Sequence, residues 1–496
     1  MALEKIVFKN LDIPEMTELK TYEEHGGYKQ WKKVMQDKVD RTELIDTVKA
    51  SGLRGRGGAG FPTGLKWSFV PQDNPKPKYL LCNADESEPG TFKDREILEK
   101  TPHQLIEGVL LGAYAIGANT AYIYLRGEFV KGWKMVEHAL AQAREAGYIG
   151  KNVMGSGFDV EVWTHRGAGA YICGEETAMI NSLEGLRGEP RLKPPFPAVE
   201  GFYRSPTIVN NVETLATVPK IIENGPEWYT QWGTEKSRGT KLWSVCGHVE
   251  RPGVYEVPLG YPMKKFFEEE LGGCWKGRKL KGVIPGGSSV PFMLPDEFLD
   301  CDMDYENIAA HGSMLGSGGM IVFDETACLM EAATVLATFY AHESCGQCTP
   351  CREGCGWVLR QLKDIESGQP QPMAKEILFD VFDQIFGNTI CPLGDSIVMP
   401  IKAMMEKVPE EFEYYIREGK SMVTGKTRLA HLAKPDKPEN YRRGEAFKYP
   451  RAEDFTTDFD KVVHNVERGP EPMFTKLQHE ESTEKGDSPY AREQKK

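Results

Sequence analysis

The chain has 496 residues, 40% of them hydrophobic and 27% charged, a composition typical of an ordinary folded protein with room for about three domains. Its net charge of −12 argues against nucleic-acid binding. No apolar stretch approaches the length of a bilayer span, and residues 1–9 lack a long apolar segment, so we expect neither a membrane span nor export. The eleven cysteines therefore favour reduced thiols and metal ligation over disulfides.

The first half of the chain predicts an α/β region. Residues 1 to about 52 form a polar lead-in with a helix at 42–50, and a glycine-rich loop follows at 52–64. From about 78 to 230, strands alternate with helices, which predicts a mostly parallel sheet covered by helices. The predicted strands are 79–82, 121–125 and 159–163, and the predicted helices are 104–116 and 131–146. Residues 190–206 are rich in proline and exclude regular structure.

The second half changes character twice. From about 240 to 325 the pattern predicts a small α+β module, with a hairpin at 241–245 and 254–257, a helix at 263–271, and strands at 281–284 and 320–323. From about 326 to 430 helices dominate, beginning at 328–342 and continuing near 352–366. Beyond about 433 the chain is polar and poor in aliphatic residues, so we expect a tail that is disordered or lies along a partner.

A cysteine run is the most specific motif. Cys345, Cys348 and Cys351 form C-x2-C-x2-C where one predicted helix ends and the next begins, and Cys391 stands alone before a proline. Three thiolates on one tight loop with a distant fourth are typical of an iron–sulfur cubane, which indicates electron transfer. Cys355 extends the run with ferredoxin-like spacing and is an alternative fourth ligand, although the proline after Cys391 favours Cys391. A zinc site is the other alternative, because four cysteines also suit tetrahedral zinc.

The glycine-rich loop suits an anion. Residues 55–60 match G-x-G-x-x-G, but a helix precedes them and Phe61 and a proline follow, so a standard dinucleotide-binding turn is disfavoured. Six glycines between positions 52 and 64, together with Arg54, Arg56 and Lys66, could still hold an anionic group against bare backbone. The alternative is a flexible surface loop.

Three acid- or amide-rich turns occur in the α/β region, at 83–90, 171–177 and 210–214. Ligand sites in parallel sheets lie at the carboxyl ends of strands, where the first of these turns is expected. Carboxylates suit ribose hydroxyls and ring N–H donors, so the three turns together indicate a polar ring system, although each alone could be a solvated or helix-capping turn. Phe61, Phe69 and Phe196 are candidates for stacking on an adenine or nicotinamide, with core packing as the alternative.

Four long motifs then support a family resemblance. They are GRGGAGFPTGLKW at 55–67, NADESEPGTFKDR at 83–95, ICGEET at 172–177 and ESCGQCTPCREG at 343–354. Over about residues 45–430 the chain resembles the NADH-binding flavoprotein subunit of respiratory complex I, the NADH:quinone oxidoreductase. The resemblance implies an α/β fold with a Rossmann-like FMN domain, a β-grasp-like domain and a C-terminal helical bundle that holds one [4Fe–4S] cluster. The corresponding segments are a lead-in with the glycine-rich loop at 1–70, the FMN and NADH domain at 71–238, the β-grasp-like domain at 239–325, the cluster domain at 326–432 and the tail at 433–496.

The resemblance also implies the site residues. FMN contacts are expected at Gly55, Arg56, Gly57, Lys66, Asn83, Asp85, Glu86, Gly174, Glu175, Asn210, Asn211 and Thr214. NADH contacts are expected over the same pocket at Phe61, Phe69, Glu88, Tyr171, Glu176, Lys193 and Phe196. The cluster is expected on Cys345, Cys348, Cys351 and Cys391, which leaves Cys355 without an assigned role. No catalytic side chain is expected, because hydride passes directly from NADH to the flavin.

The implied function is NADH oxidation within complex I. Hydride reduces FMN, and single electrons pass through the cluster to a small [2Fe–2S] subunit and a large multi-cluster subunit of the peripheral arm, and finally to quinone. We expect a cytoplasmic location at the inner face of the membrane, and a preference for NADH over NADPH because Glu88 or Glu176 would repel a 2′-phosphate. The alternatives are a diaphorase subunit of a soluble NAD-linked hydrogenase or formate dehydrogenase, a zinc-stabilised NAD-binding scaffold, and a plain flavin reductase.

Overall fold

The computed structural model describes residues 5–428, and the predicted tail at 433–496 lies outside this range. A parallel four-stranded sheet organises the first half of the described chain. Its strands are β1 (Tyr79–Ala84), β2 (Thr120–Leu125), β3 (Glu161–Arg166) and β4 (Thr207–Asn211), in the order β3-β2-β1-β4. The side chains of Leu80, Leu81 and Cys82 are fully buried, which is why this strand reads as a continuous apolar run and not as an alternating one.

Ten helices accompany this sheet in the described chain. They are α1 (Leu19–Glu24), α2 (Lys29–Asp37), α3 (Arg41–Ala50), α4 (Thr63–Ser68), α5 (Asp94–Lys100), α6 (Pro102–Ile116), α7 (Val130–Glu145), α8 (Glu176–Leu183), α9 (Val212–Asn224) and α10 (Pro226–Tyr229). Helix α6 is buried along nearly its whole length between the sheet and its neighbours, since it packs against both α7 and α9. The predicted strands and helices of this region are therefore confirmed, with β3 beginning at Glu161 instead of residue 159.

The fourth strand is not among those that the sequence predicts. Residues 190–206 contain no helix beyond a 3₁₀ turn at Phe202–Arg204 and no strand, as expected, but Thr207–Asn211 pairs with β1 immediately afterwards. Because β2 and β4 lie on opposite sides of β1, the strand order reverses there. A crevice opens at the carboxyl ends of adjacent strands at such a switch point, which is the usual position of ligand sites in parallel sheets.

The middle of the chain forms a second, mixed four-stranded sheet. Its strands are β5 (Thr240–Gly247), β6 (Gly253–Pro258), β7 (Leu280–Ile284) and β8 (Gly319–Asp324), in the order β6-β5-β8-β7. The central pair β5 and β8 is parallel, and the outer pairs are antiparallel, which agrees with the β-grasp-like expectation. The accompanying helices are α11 (Met263–Lys265), which continues as a π-helical turn at Phe266–Glu270, α12 (Pro295–Leu299) and α13 (Tyr305–Ala310).

The last part of the described chain is a helical bundle. It consists of α14 (Leu329–Glu343), α15 (Thr349–Glu366), α16 (Ala374–Ile385), α17 (Leu393–Lys407) and α18 (Pro409–Glu418). Helix α14 packs against α15, α17 and α18, and α15 packs against α16, so the bundle shares one apolar core. Within residues 5–428, no helix is both long and apolar enough to cross a membrane.

Candidate functional site

A cavity of about 440 Å³ lies at the switch point of the parallel sheet. Four parts of the fold line it. The acid- and amide-rich turns contribute Asn83, Asp85, Glu86, Glu88, Tyr171, Gly174, Glu175 and Asn211, and the glycine-rich loop contributes Gly57, Gly58 and Ala59. The middle domain contributes Ser289, Val290, Met314, Gly316 and Ser317. The helical bundle contributes Cys391, Pro392, Leu393, Ser396 and Met399. The turns after β1 and before α8 therefore share one space with the turn that carries the isolated cysteine.

Asn83 joins the two turns on either side of the cavity. Its side-chain amide donates a hydrogen bond to the carbonyl of Gly174 at 2.7 Å, and its Oδ1 accepts one from the backbone N–H of Asp85 at 3.1 Å. A Cβ added at Gly174 would lie 3.5 Å from Oδ2 of Asp85, an ordinary contact distance. The absence of a side chain at Gly174 therefore leaves room in the cavity and is not forced by the neighbouring backbone.

Asp85 is the clearest sign that the cavity is built for a polar ligand. Within the described residues, its buried Oδ2 has no hydrogen-bond partner, and burial raises the pKa of the carboxyl to about 7. An unpartnered buried polar atom is costly, since it loses water without gaining a replacement. A ring N–H from a bound ligand would supply the missing partner, which fits the expected isoalloxazine of FMN.

Unlike Asp85, Glu86 has its carboxylate oxygens hydrogen-bonded to backbone N–H groups. Its carboxylate accepts hydrogen bonds from the backbone N–H groups of Lys93, Asp94 and Arg95 at 2.8, 2.8 and 3.1 Å, at the start of α5. Burial and the nearby Asp94 raise its pKa to about 7. Glu86 lines the cavity, but these bonds show that it also fixes the turn that borders the cavity.

A network of buried charged side chains holds Asn211 in position at the edge of the cavity. The Lys93 ammonium lies 2.7 Å from Asp94 Oδ1 and 2.9 Å from Glu213 Oε2, and the Lys241 ammonium lies 2.7 Å from the same Glu213 oxygen. Asn211 donates to Asp94 Oδ2 at 2.7 Å and caps α9 by accepting from the Glu213 N–H at 2.9 Å. Although burial raises it, the ammonium groups of Lys241 and Lys93 lower the pKa of Glu213. Burial also lowers the pKa of Lys241 to about 7, so the network joins α9, α5 and β5 through ion pairs in which Lys241 is close to losing its charge at neutral pH.

Four charged side chains form a compact group at the start of α8. Glu176 lies between Lys66 (2.9 Å) and Lys193 (2.8 Å), and Lys193 also contacts Glu175 at 3.1 Å. Glu175 additionally caps α8 by accepting from the N–H groups of Thr177 and Ala178. Burial alone would raise the pKa of Glu176, but Lys66 and Lys193 lower it to about 2. The four charges balance, so this region is polar but close to neutral.

The three aromatic NADH candidates are exposed, whereas Glu88 and Tyr171 are largely buried. The rings of Phe61 and Phe69 are 45% and 50% exposed with centroids 6.1 Å apart, and Phe196 is 59% exposed. The alternative of core packing is thus excluded for these three phenylalanines. Glu88 accepts a hydrogen bond from the Tyr171 hydroxyl at 2.6 Å and another from the Ser289 N–H at 2.8 Å. Burial raises the pKa of Glu88, in contrast to the ion-paired Glu176.

Several predicted FMN residues have other partners in this structure. The Arg56 guanidinium is fully buried and donates to the Tyr229 hydroxyl and the Arg238 carbonyl, while its N–H donates to Thr214 Oγ1 at 2.8 Å. Asn210 accepts from the Trp67 indole N–H at 2.7 Å, and the Gly55 carbonyl accepts from the Tyr305 hydroxyl. These residues brace the glycine-rich loop, and their direct contact with FMN stays a prediction.

The cysteines lie at helix ends, as their spacing predicts. Cys345 follows α14, Cys348 precedes α15, Cys351 lies in the first turn of α15, and Cys391 lies two residues before α17. Burial, with Cys345 and Cys351 nearby, raises the pKa of Cys391 to about 12. The four thiols thus lie at three helix ends, with Cys391 close enough to Cys345 and Cys351 for their charges to interact. Sulfur donors of this kind suit an iron–sulfur cluster, but within residues 5–428 no three such side chains are arranged as a metal site.

The contribution of the middle domain is missing from the sequence-based prediction. Ser289 bonds Glu88 and lines the cavity, and Met314 and Ser317 line it from the loop before β8. The Gly-Gly-Ser-Ser sequence at 286–289, directly after a predicted strand, is a signal that could have indicated this. Lys93 and Asp94 stand inside one of the long motifs, but nothing in their spacing indicates a buried network.

Comparison with known proteins gives two family models and many relatives. The Nuo51 FMN-binding domain matches residues 48–220, and the NADH-ubiquinone oxidoreductase-F iron-sulfur binding region matches residues 331–415. The chain is 52% identical over 415 residues to the second F subunit of the NADH-quinone oxidoreductase of Rhizobium meliloti (strain 1021), covering 84% of this chain and 98% of that one. It is 50% identical over 405 residues to the NADH-quinone oxidoreductase F subunit of Streptomyces coelicolor, covering 82% of this chain and 89% of that one.

A solved structure has the same fold. The crystal structure of an NAD⁺-reducing [NiFe]-hydrogenase in the H2-reduced state matches with a TM-score of 0.73 and 34% identity, covering 84% of this chain and 67% of that one. By sequence identity, the chain is more similar to the quinone-linked relative (52%) than to the hydrogenase (34%).

Proposed function

The chain belongs to the family of F subunits of NADH-quinone oxidoreductase, and on that basis we infer that it is the NADH-oxidising subunit of such a complex, with FMN and a [4Fe–4S] cluster as its cofactors. Bound FMN would supply the conversion of a two-electron hydride from NADH into single electrons for the cluster. The observation that carries this function is the shared cavity, since Cys391 lines the same space as Asn83, Asp85 and Gly174.

The protein's part in the reaction is positional. The Asn83 bond to Gly174 holds two turns at a fixed separation, and Asp85 offers an unpartnered carboxyl oxygen between them, within the described part of the chain. We propose that these residues, with Gly57, Glu175 and Asn211, contact the flavin. Arg56, Asn210 and Thr214 also brace the glycine-rich loop, and their contact with FMN stays a prediction. Rigid placement of this kind lowers the barrier to hydride transfer without a general acid or base.

The exposed aromatic side chains are the proposed binding surface for NADH. We propose that Phe61, Phe69 and Phe196 stack on the rings of NADH, because all three are aromatic and exposed and the rings of Phe61 and Phe69 lie 6.1 Å apart. Stacking on a solvent-exposed aromatic costs little reorganisation and leaves the product free to depart. Lys193 and Glu176, which form an ion pair at the start of α8, are the candidates for contacts to the ribose and phosphates.

Partner subunits follow from the family, and their nature is our proposal. We propose a small [2Fe–2S] subunit and a large multi-cluster subunit as electron acceptors, and a position of the complex at the cytoplasmic face of the membrane, because quinones partition into the bilayer. The 52% identity to a quinone-linked relative, against 34% to the hydrogenase, supports quinone as the final acceptor over a hydrogenase-linked role. We also propose the boundaries 71–238, 239–325 and 326–432 for the three domains, which the change from parallel sheet to mixed sheet to helices supports.

Anaerobic titration of the purified protein with NADH tests the proposal. We expect the flavin absorbance to bleach and an EPR signal of a reduced four-iron cluster to appear, with iron and sulfide in equal amounts. In the Cys391→Ser variant the EPR signal is lost while the flavin still bleaches, and Cys328→Ser, in a cysteine at the opposite end of α14, leaves both intact. A protein with zinc in place of iron, or without a bound yellow chromophore, would overturn the proposal.

A further inference from the structure

Cys355 is the one cysteine of the run that the cluster does not require. It lies on α15 one helical turn after Cys351, is fully buried, and its Sγ is 3.8 Å from the Sγ of Cys351. Residues four apart on a helix lie on the same face, so the helix itself places this contact. The sulfur of Cys351 has a second neighbour, the Ser344 hydroxyl, at 3.1 Å. Two polar side chains thus converge on a single candidate ligand.

The direction of both contacts follows from the chemistry of ligation. A cysteine that binds a metal has lost its proton, so its sulfur can only accept hydrogen bonds. The Cys355 thiol and the Ser344 hydroxyl must therefore be the donors. Hydrogen bonds to ligand sulfur stabilise the more negative, reduced form of a cluster and thereby raise its reduction potential.

We propose that Cys355 is a positioning residue that acts through Cys351: together with Ser344 it donates a hydrogen bond to the ligand sulfur and raises the reduction potential of the cluster. This inference rests on the proposed function, since it needs the cluster on Cys345, Cys348, Cys351 and Cys391. In this assignment Cys391 is the fourth ligand, and Cys355, which is fully buried and contacts Cys351, is a hydrogen-bond donor.

The test uses two substitutions of nearly equal size. Cys355→Val removes the donor, and Cys355→Thr keeps a hydroxyl at the same position of the helix. In an EPR-monitored redox titration of the flavin- and cluster-loaded protein, we expect Cys355→Val to lower the reduced-to-oxidised ratio at fixed potential about three- to tenfold, roughly 30–60 mV for a one-electron couple. Cys355→Thr stays closer to the wild type, and Ser344→Ala lowers the potential independently. Iron and flavin contents are unchanged in all three.

Two results would overturn the inference. If Cys355→Val, Cys355→Thr and the wild type share one midpoint potential, the thiol does not act on the cluster. If both variants fold and bind FMN but lack the cluster, Cys355 is a ligand. Cys328→Val is the matched control, because Cys328 is also buried in the bundle but lies at the start of α14, about 22 Å of helix away from Cys345. Failure of the proposed function is a separate result, since then the wild type itself shows no four-iron signal.

Discussion

The charged group at the start of α8 predicts a change of nucleotide selectivity in Glu176→Gln. Lys66 and Lys193 balance Glu175 and Glu176, so the wild-type group has no net charge at neutral pH. Replacing Glu176 by glutamine leaves one positive charge in excess at the start of α8, where contacts to the ribose and phosphates of the nucleotide are proposed. That charge attracts the 2′-phosphate of NADPH, an attraction that NADH does not gain because it lacks this group.

The size of the effect follows from Coulomb's law. Two unit charges about 6–8 Å apart interact by about 2–3 kcal/mol at an effective dielectric constant of about 20. Solvent reaches the charged group at the start of α8, since the side chains of Lys66 and Lys193 are 25% and 29% exposed. The solvent therefore screens part of the interaction between the excess charge and the phosphate. We therefore expect the ratio of kcat/KM for NADPH to kcat/KM for NADH to rise about tenfold.

Steady-state kinetics with an artificial acceptor such as ferricyanide measures this ratio directly. Glu184→Gln is the control, because Glu184 lies at the end of the same helix but is ion-paired with Arg191 at 2.7 Å, whereas Glu176 is paired with Lys66 and Lys193. An unchanged ratio in Glu176→Gln, with normal flavin content, would show that the carboxylate plays no part in nucleotide selection.

The same substitution has a distinct signature in acid. The pKa of Glu176 is lowered to about 2 in the folded protein, whereas an unfolded glutamate titrates near pH 4.5. A carboxylate with a lowered folded pKa adds stability above its unfolded pKa and loses it as the pH falls through the folded value. The difference in free energy of unfolding between wild type and Glu176→Gln should therefore shrink from about pH 4.5 to pH 2, as followed by denaturant titrations across that range. A difference that stays constant would contradict the ion-pair account.

Three other substitutions separate flavin chemistry from stability. Because burial raises the pKa of Asp85 to about 7, and a negative charge on reduced flavin would raise it further, the flavin midpoint potential should fall more steeply above pH 7 in the wild type than in Asp85→Asn, as measured by spectroelectrochemistry. Gly174→Val should fold normally but lose FMN, because the added methyl groups enter the cavity; the flavin-to-protein absorbance ratio and a thermal melt check this. Glu213→Ala should cost about 3–5 kcal/mol in free energy of unfolding, because it leaves the buried ammonium groups of Lys93 and Lys241 without their shared partner, and a normal melting temperature would refute this.

The sequence by itself determined the parts of this protein that depend on local spacing. The run at 345–351 predicts a loop of three thiols, and the structure has them where α14 ends and α15 begins. Strand-and-helix alternation predicts β1, β2 and β3 because a parallel strand buried on both faces needs a continuous apolar run, which can be read in one dimension. The mixed sheet and the helical bundle are likewise expected from the change of pattern near residues 240 and 326.

Only the tertiary structure decided which of the marked residues meet. Strand β4 follows a proline-rich segment and offers just five residues, so its pairing with β1, which creates the crevice, depends on contacts between residues 128 positions apart. The same holds for side-chain direction, since Arg56 and Asp85 both stand in motifs. The Arg56 guanidinium is buried against Tyr229, whereas the Asp85 carboxyl lines the cavity, and among the described residues each has buried polar atoms without a hydrogen-bond partner. The charges and spacing of residues along the chain show which functional groups are present. Packing between distant segments decides how deeply each group is buried and which partners it contacts.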